Sequence, residues 1–139
     1  MRVAGRRGGF TLIELLIVMI IIAVLMAIAV PMYFGQRARA KDASVKEGTH
    51  TVLVGVQSYA ADNEDTYPDQ AAGGLEAQVG SQLLPWPENP FVDPPVAMTN
   101  GPVEAAVAIG DIVYTHAAGT DIFTLGGKLR DGSVFWGHQ

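Results

Sequence analysis

Residues 10–30 hold a single charged side chain, Glu14, and residues 15–30 hold no charged or strongly polar one. As a helix, at roughly 1.5 Å per residue, this run is about 32 Å long, which matches a hydrocarbon core of about 30 Å. Residues 15–30 contain eleven Leu, Ile or Val side chains. Together these contribute roughly −3 to −7 kcal/mol on the insertion scale, against about +2.5 to +3.5 kcal/mol for one acidic residue at the centre of a span. Glu14 lies near one end, where its cost is lower, so insertion is favoured despite the carboxylate. Pro31 then lacks a donor, and its ring clashes with the carbonyl four residues back. Either the helix stops there, at a membrane surface, or it continues with a bend, and Gly35 widens the weak zone.

The pattern beyond Pro31 favours continuation. Ala38, Val45, Val52 and Tyr59 recur every seven residues, with Val56, Gly48 and Gly55 on the same side, and this apolar stripe predicts an amphipathic helix over about residues 36–63. Gly48 and Gly55 each cost up to about 1 kcal/mol in a helix interior, a cost that makes sense where another element packs close. The cluster Asp62, Asn63, Glu64, Asp65 before Tyr67 and Pro68 is a stop signal.

Residues 64–102 are rich in Pro, Gly, Asn and Asp, and the stretch PWPENPFVDPP at 85–95 excludes a regular helix or a central strand. A helical turn is predicted over residues 75–79, within an ordered loop pinned by Trp86 and Phe91. A ligand groove lined by Trp86 is the competing reading. Past Gly110, the runs 111–116 (DIVYTH), 122–125 (IFTL) and 133–136 (SVFW) are separated by turn residues, which predicts an antiparallel three-stranded meander. Residues 103–109 are read as either a further strand or a helical turn. A sheet this small must cover one face, and the stripe at 45–59 is the nearest apolar cover. The predicted class is α+β: a long N-terminal helix, membrane-spanning in its first half and amphipathic in its second, packed on a small antiparallel sheet.

Charge sharpens the division. The net charge is −5, but Arg2, Arg6 and Arg7 all precede Phe10, so the chain from Phe10 onward carries six basic against 14 acidic side chains, or −8. So acidic a domain is a poor general binder of nucleic-acid phosphate. The basic leader favours a cytoplasmic N-terminus, although Arg37, Arg39 and Lys41 beyond the span weaken that asymmetry. The absence of cysteine excludes disulfides, thiolate metal sites and a cysteine nucleophile.

The stretch GGFTLIEL at 8–15, with its apolar continuation, resembles the class III signal of type IV pilins and of the related pseudopilins of type II secretion. The match covers the basic leader, Gly9, Phe10, Thr11, Leu12, Glu14, the apolar helix and Pro31. Beyond these, only the order of helix, loop and sheet agrees. The resemblance implies a leader at 1–9, a transmembrane and filament-core segment at 10–34, an amphipathic continuation at 35–63 and a globular head at 64–139. It further implies that a membrane-embedded prepilin peptidase cuts between Gly9 and Phe10 and methylates the new amino group of Phe10. Glu14 would then meet the Phe10 amino group of a neighbouring subunit. An unpaired buried charge costs about 3 to 5 kcal/mol when a buried pair is broken, so a partner is expected.

The expected function is that of a pilus subunit. It would be held in the inner or cytoplasmic membrane before assembly, then extracted by a separate assembly ATPase and platform into an open helical polymer outside the cell. A type II pseudopilin and a competence pilus subunit are alternatives of the same class. A monomeric membrane-anchored binding domain using the PWPENPF loop is the alternative from another class. Thr11 and Glu14 also form a capping box, so a local role for the carboxylate competes with the intersubunit one. Arg6 and Arg7 suggest a twin-arginine signal, and Ala27, Ile28, Ala29 a conventional secretory cleavage site. Both leave Glu14 unexplained.

Little else in the chain carries chemistry. His50, His116 and His138 are scattered, with no HExxH, GxSxG or phosphate-loop spacing, so no enzyme is expected. Asp93, Asp111, Asp121 and Asp131 are turn or strand-start residues. As the resemblance to pseudopilins implies, Asp111, Asp121 and Asp131 are also weak calcium candidates, and no other cofactor is expected. Ala23 and Ala27 have the small-xxx-small spacing of closely packed membrane helices.

Overall fold

The structure, a computed structural model, describes residues 9–69, 74–83, 85–94, 96–101, 107–116 and 122–138. The basic leader residues Arg2, Arg6 and Arg7, the calcium candidate Asp121 and most of the undecided segment 103–109 lie outside the described residues. Contacts divide the chain into two compact units between Arg37 and Ala38.

Helix α1 spans Leu12–Asp62 and runs through Pro31 without a break, so of the two readings of Pro31 the structure takes continuation. Proline leaves the Ala27 carbonyl without its helical donor, one missing rung in a long ladder. In the N-terminal unit every residue from Phe10 to Arg37 is exposed, and an 18-residue window of the helix is apolar enough to cross a membrane while having none of its surface buried.

In the second unit, α1 buries Val45, Gly48, Thr49, Val52, Gly55, Val56 and Ala60. This is the predicted stripe, broadened by Thr49 and Ala60, whereas Tyr59 is only half-buried. Thr49 sits in an apolar face because its hydroxyl donates to the Val45 carbonyl at 2.8 Å, which satisfies the polar atom within the helix. The stripe joins Leu75, Val79, Leu83, Met98, Ile112, Tyr114, Phe123 and Leu125 in one core. Helix α2, Leu75–Val79, is the predicted helical turn, and its Leu75 and Val79 are fully buried.

The Pro-rich stretch is more ordered than a loop. Strands β1 (Glu88–Asn89) and β2 (Val96–Ala97) pair antiparallel as a two-residue ribbon, short enough for the flanking prolines to stay out of its ladder. The main sheet contains β3 (Asn100–Gly101), β4 (Ile112–His116), β5 (Phe123–Lys128) and β6 (Val134–His138), in that order. Strands β4, β5 and β6 form the expected antiparallel meander. The added edge strand β3 runs parallel to β4, so the sheet is mixed. It falls at 100–101, ahead of the segment 103–109 in which a further strand was sought.

Strand β5 continues through Gly126, Gly127 and Lys128, residues that read as a turn because glycine punctuates. Close neighbours explain both glycines: a Cβ on Gly127 would fall 2.3 Å from Thr49 Oγ1 and 2.7 Å from Val45 Cγ1 of the helix, and one on Gly126 would fall 2.6 Å from Val134 Cγ1 of β6. Gly48 and Gly55 serve the same purpose on the helix, a Cβ on Gly55 meeting Leu83 Cδ1 at 2.6 Å. The helix-propensity cost of these glycines is therefore offset by close packing. Gly127→Val is expected to destabilise the head by about 2 to 3 kcal/mol through overpacking, read as a lower denaturation midpoint of the full chain in detergent.

Buried Tyr114 ties β4 to the chain after α1, its hydroxyl donating to the Pro68 carbonyl at 2.8 Å. Burial, with the negative charge of Asp69 second, pushes its phenol well above the ordinary value. An acid whose folded-state pKa is raised contributes stability that is intact below the unfolded pKa, about 10 for tyrosine, and is lost as pH rises above it. Stability is therefore expected to fall above about pH 10 by up to about 1.4 kcal/mol per pH unit. In Tyr114→Phe this contribution to the alkaline slope should vanish, at a cost of about 1 kcal/mol at neutral pH for the lost hydrogen bond. Denaturant midpoints across pH check both.

Candidate functional site

The apolar segment begins with a built cap. Thr11 precedes the first helical residue, and its backbone N–H and its hydroxyl both donate to Glu14 Oε2 at 2.8 Å, while the Glu14 N–H donates to Thr11 Oγ1 at 3.3 Å. This is the reciprocal capping box the sequence predicted. It engages only one carboxylate oxygen; among the described residues Oε1 has no partner. Capping and pairing with another molecule are therefore compatible, one oxygen for each, and the choice the sequence posed between them is unnecessary.

Phe10 is 92% exposed, and a Cβ on Gly9 would meet nothing within 4 Å. Among the described residues, nothing packs so as to require glycine at position 9 or an aromatic ring at position 10. Gly35 is likewise in open space. Ala23 and Ala27 lie on the exposed helix. Between them Glu14 supplies a carboxylate, Phe10 a large apolar ring and residues 12–34 a wholly uncovered apolar rod. Such a rod needs lipid or other protein around it.

The two described calcium candidates, Asp111 and Asp131, are each engaged by hydrogen bonds within the fold. Asp111 is buried, at 7% exposure, and its carboxylate is used within the fold. Oδ1 accepts from Asn89 Nδ2 at 2.9 Å and from the Thr99 N–H at 3.2 Å, and Oδ2 accepts from the Thr99 hydroxyl at 2.7 Å. Asp131 lies in the β5–β6 turn and accepts from the N–H and hydroxyl of Ser133 at 2.9 and 2.6 Å, bonds that hold its carboxyl below the usual range. Among the described residues no three His, Cys, Asp or Glu side chains are grouped to hold a metal.

The Asp111 cluster is the feature that sequence reasoning missed. Asn89 Nδ2 also donates to the Ile109 carbonyl at 3.0 Å, and Asn89 Oδ1 accepts from the Phe91 N–H at 2.9 Å. One asparagine thus closes an Asx turn in the Pro-rich stretch and fastens that stretch to the start of β4. The Asn89-Pro90 dipeptide was the available signal, since Asn before Pro favours turn initiation.

Trp86 and Phe91 are half-buried against the core, and the Trp86 indole N–H donates to the Met98 carbonyl at 2.9 Å, so the aromatics pin the loop as expected. A shallow pocket of about 320 Å³ does open beside Trp86, between Ser44, Glu47 and Thr51 of α1 and Glu88 of β1.

Comparison with known proteins bears on both halves of the chain. The prokaryotic N-terminal methylation motif matches residues 5–30. The chain is 33% identical over 128 residues to the fimbrial protein EcpC of Eikenella corrodens, covering 92% of this chain and 79% of the relative. It is 39% identical over 66 residues to the type IV major pilin protein PilA of Myxococcus xanthus, covering 30% of it. To the type IV wide pilus major component PilA4 of Thermus thermophilus it is 42% identical over 64 residues, covering 49%. The chain thus spans less than half the length of the latter two. No solved structure matches it.

Proposed function

Because the chain belongs to the type IV pilin family, we propose that it is a structural subunit of a type IV pilus, cut between Gly9 and Phe10, methylated on the Phe10 amino group and polymerised through α1. The observation that carries this reading is the uncovered apolar rod of residues 12–34 with a half-used carboxylate at its entrance. In lipid that rod is solvated by acyl chains; in a filament the same surface is covered by identical rods. The N-terminus stays on the cytoplasmic side before assembly, and the acidic head becomes the outer surface afterwards.

Glu14 Oε1 takes the Phe10 amino group of the next copy, while Oε2 keeps the cap. Among the described residues Gly9 meets no packing demand, which is what a peptidase recognition position needs. Extraction from the membrane requires work, so a prepilin peptidase, an assembly ATPase and a membrane platform are the partners this reading calls for. The relatives are named as fimbrial and pilus components, which favours a pilus over a pseudopilus.

Electron microscopy of filaments sheared from producing cells tests the proposal. Thin fibres containing this chain, lost when its gene is deleted, are expected; unchanged fibres after deletion would count against it. Gly9→Val should leave full-length precursor in the membrane, visible as a larger band on a denaturing gel.

A further inference from the structure

A polymer of this chain has an electrostatic problem, because from Phe10 onward each copy carries six basic and 14 acidic side chains. Four of the six basic groups are already engaged within the copy. Lys41 and Lys46 sit over the rings of Phe91 and Phe135 at 5.3 and 5.2 Å. Lys128 donates to the Val107 carbonyl at 2.7 Å, and Arg130 faces Asp42 at 4.0 Å. That leaves Arg37 and Arg39, both exposed on α1, with no partner among the described residues.

The groove beside Trp86 has the opposite character. Its lining includes Gly48 and the half-buried Trp86 together with Glu47 and Glu88, whose side chains are exposed and without a partner among the described residues. Because the indole N–H is committed to Met98, what the ring has left to offer a ligand is its π-surface. Two carboxylates and an indole suit a guanidinium, which binds carboxylate oxygens through planar N–H pairs and stacks on aromatic rings.

Resting on the filament reading, we propose that the Glu47–Trp86–Glu88 groove of one copy receives Arg39 of a neighbouring copy. Charge complementarity supports this occupant: Arg39, exposed and without a partner among the described residues, belongs to the same compact unit as the groove, and the groove offers two carboxylates that also lack one. The contact is heterologous, so each copy gives one arginine and receives another, and the chain of contacts does not close. It also places the spare positive charge where it relieves repulsion between acidic heads.

The lack of cysteine in the chain makes the test direct. Filaments from cells producing full-length Arg39→Cys/Glu47→Cys are oxidised and run on a denaturing gel. A ladder of covalent multimers is expected, while a mixture of the two single-cysteine chains should yield no species beyond dimers. Arg39→Glu should lower filament yield at least about tenfold, with recovery in Arg39→Glu/Glu47→Arg. Normal filaments without a ladder, or charge reversal without loss of yield, would overturn the contact and leave the filament reading standing. If the unsubstituted chain assembles no filaments, the filament reading itself falls, and the contact with it.

Discussion

Replacing Glu14 by glutamine is expected to reduce incorporation into filaments by roughly 100- to 4,000-fold while leaving the start of the helix intact. The factor follows from the cost of breaking a buried ion pair, about 3 to 5 kcal/mol, with each 1.4 kcal/mol worth about tenfold. Glutamine keeps an amide oxygen that can accept from the Thr11 N–H and hydroxyl, which now donate to Glu14 Oε2 at 2.8 Å. What it removes is the charge. Thr11→Ala is the complementary change: it deletes the capping hydroxyl and keeps the carboxylate, so it should cost only about 1 kcal/mol of helix stability and leave assembly close to normal. Quantifying subunits in sheared filaments against membrane pools, for both variants, separates charge from cap. Equal losses in the two would mean that the cap is all that Glu14 provides.

The largest effect on folding is expected at Asp111. Its buried carboxylate accepts two hydrogen bonds from Thr99 and one from Asn89, and Asn89 in turn fixes the Phe91 and Ile109 backbone. Asp111→Ala leaves three donors without their acceptor, where Asp111 and Asn89 are buried. Hydrogen bonds to a charged group contribute about 1.5 to 3 kcal/mol each and are not additive, so a loss of about 3 kcal/mol is expected. Asn89 is itself a residue of the two-residue ribbon of β1 and β2, so the ribbon's amides should lose protection first. Denaturant unfolding of the full chain in detergent gives the energy, and hydrogen exchange at residues 88–97 gives the location.

Which parts of this architecture could be read from sequence follows from how local their causes are. The apolar rod, the capping box, the stripe along α1, the turn at Leu75–Val79 and the antiparallel meander each depend on neighbours in sequence, and periodicity shows them. The continuation of β5 through Gly126 and Gly127 does not. There the causes are the approach of Val45 and Thr49 from α1, some 80 residues away, to Gly127 and of β6 to Gly126, and glycine in isolation signals a turn. Strand β3 and the Asn89–Thr99–Asp111 cluster were hidden for the same reason. Asp111 read as a turn residue or an ion ligand because sequence shows a carboxylate and not its donors. At the N-terminus the sequence posed cap against pairing as alternatives, and the structure assigns the cap to one oxygen of Glu14 and leaves the other open.

The most direct measurement of the central claim is the intact mass and N-terminal sequence of this chain in purified filaments. The account predicts a chain that begins at Phe10, carries one additional methyl group and retains residues 10–139. A filament subunit that still carries residues 1–9, or one cut after Ala29, would contradict it.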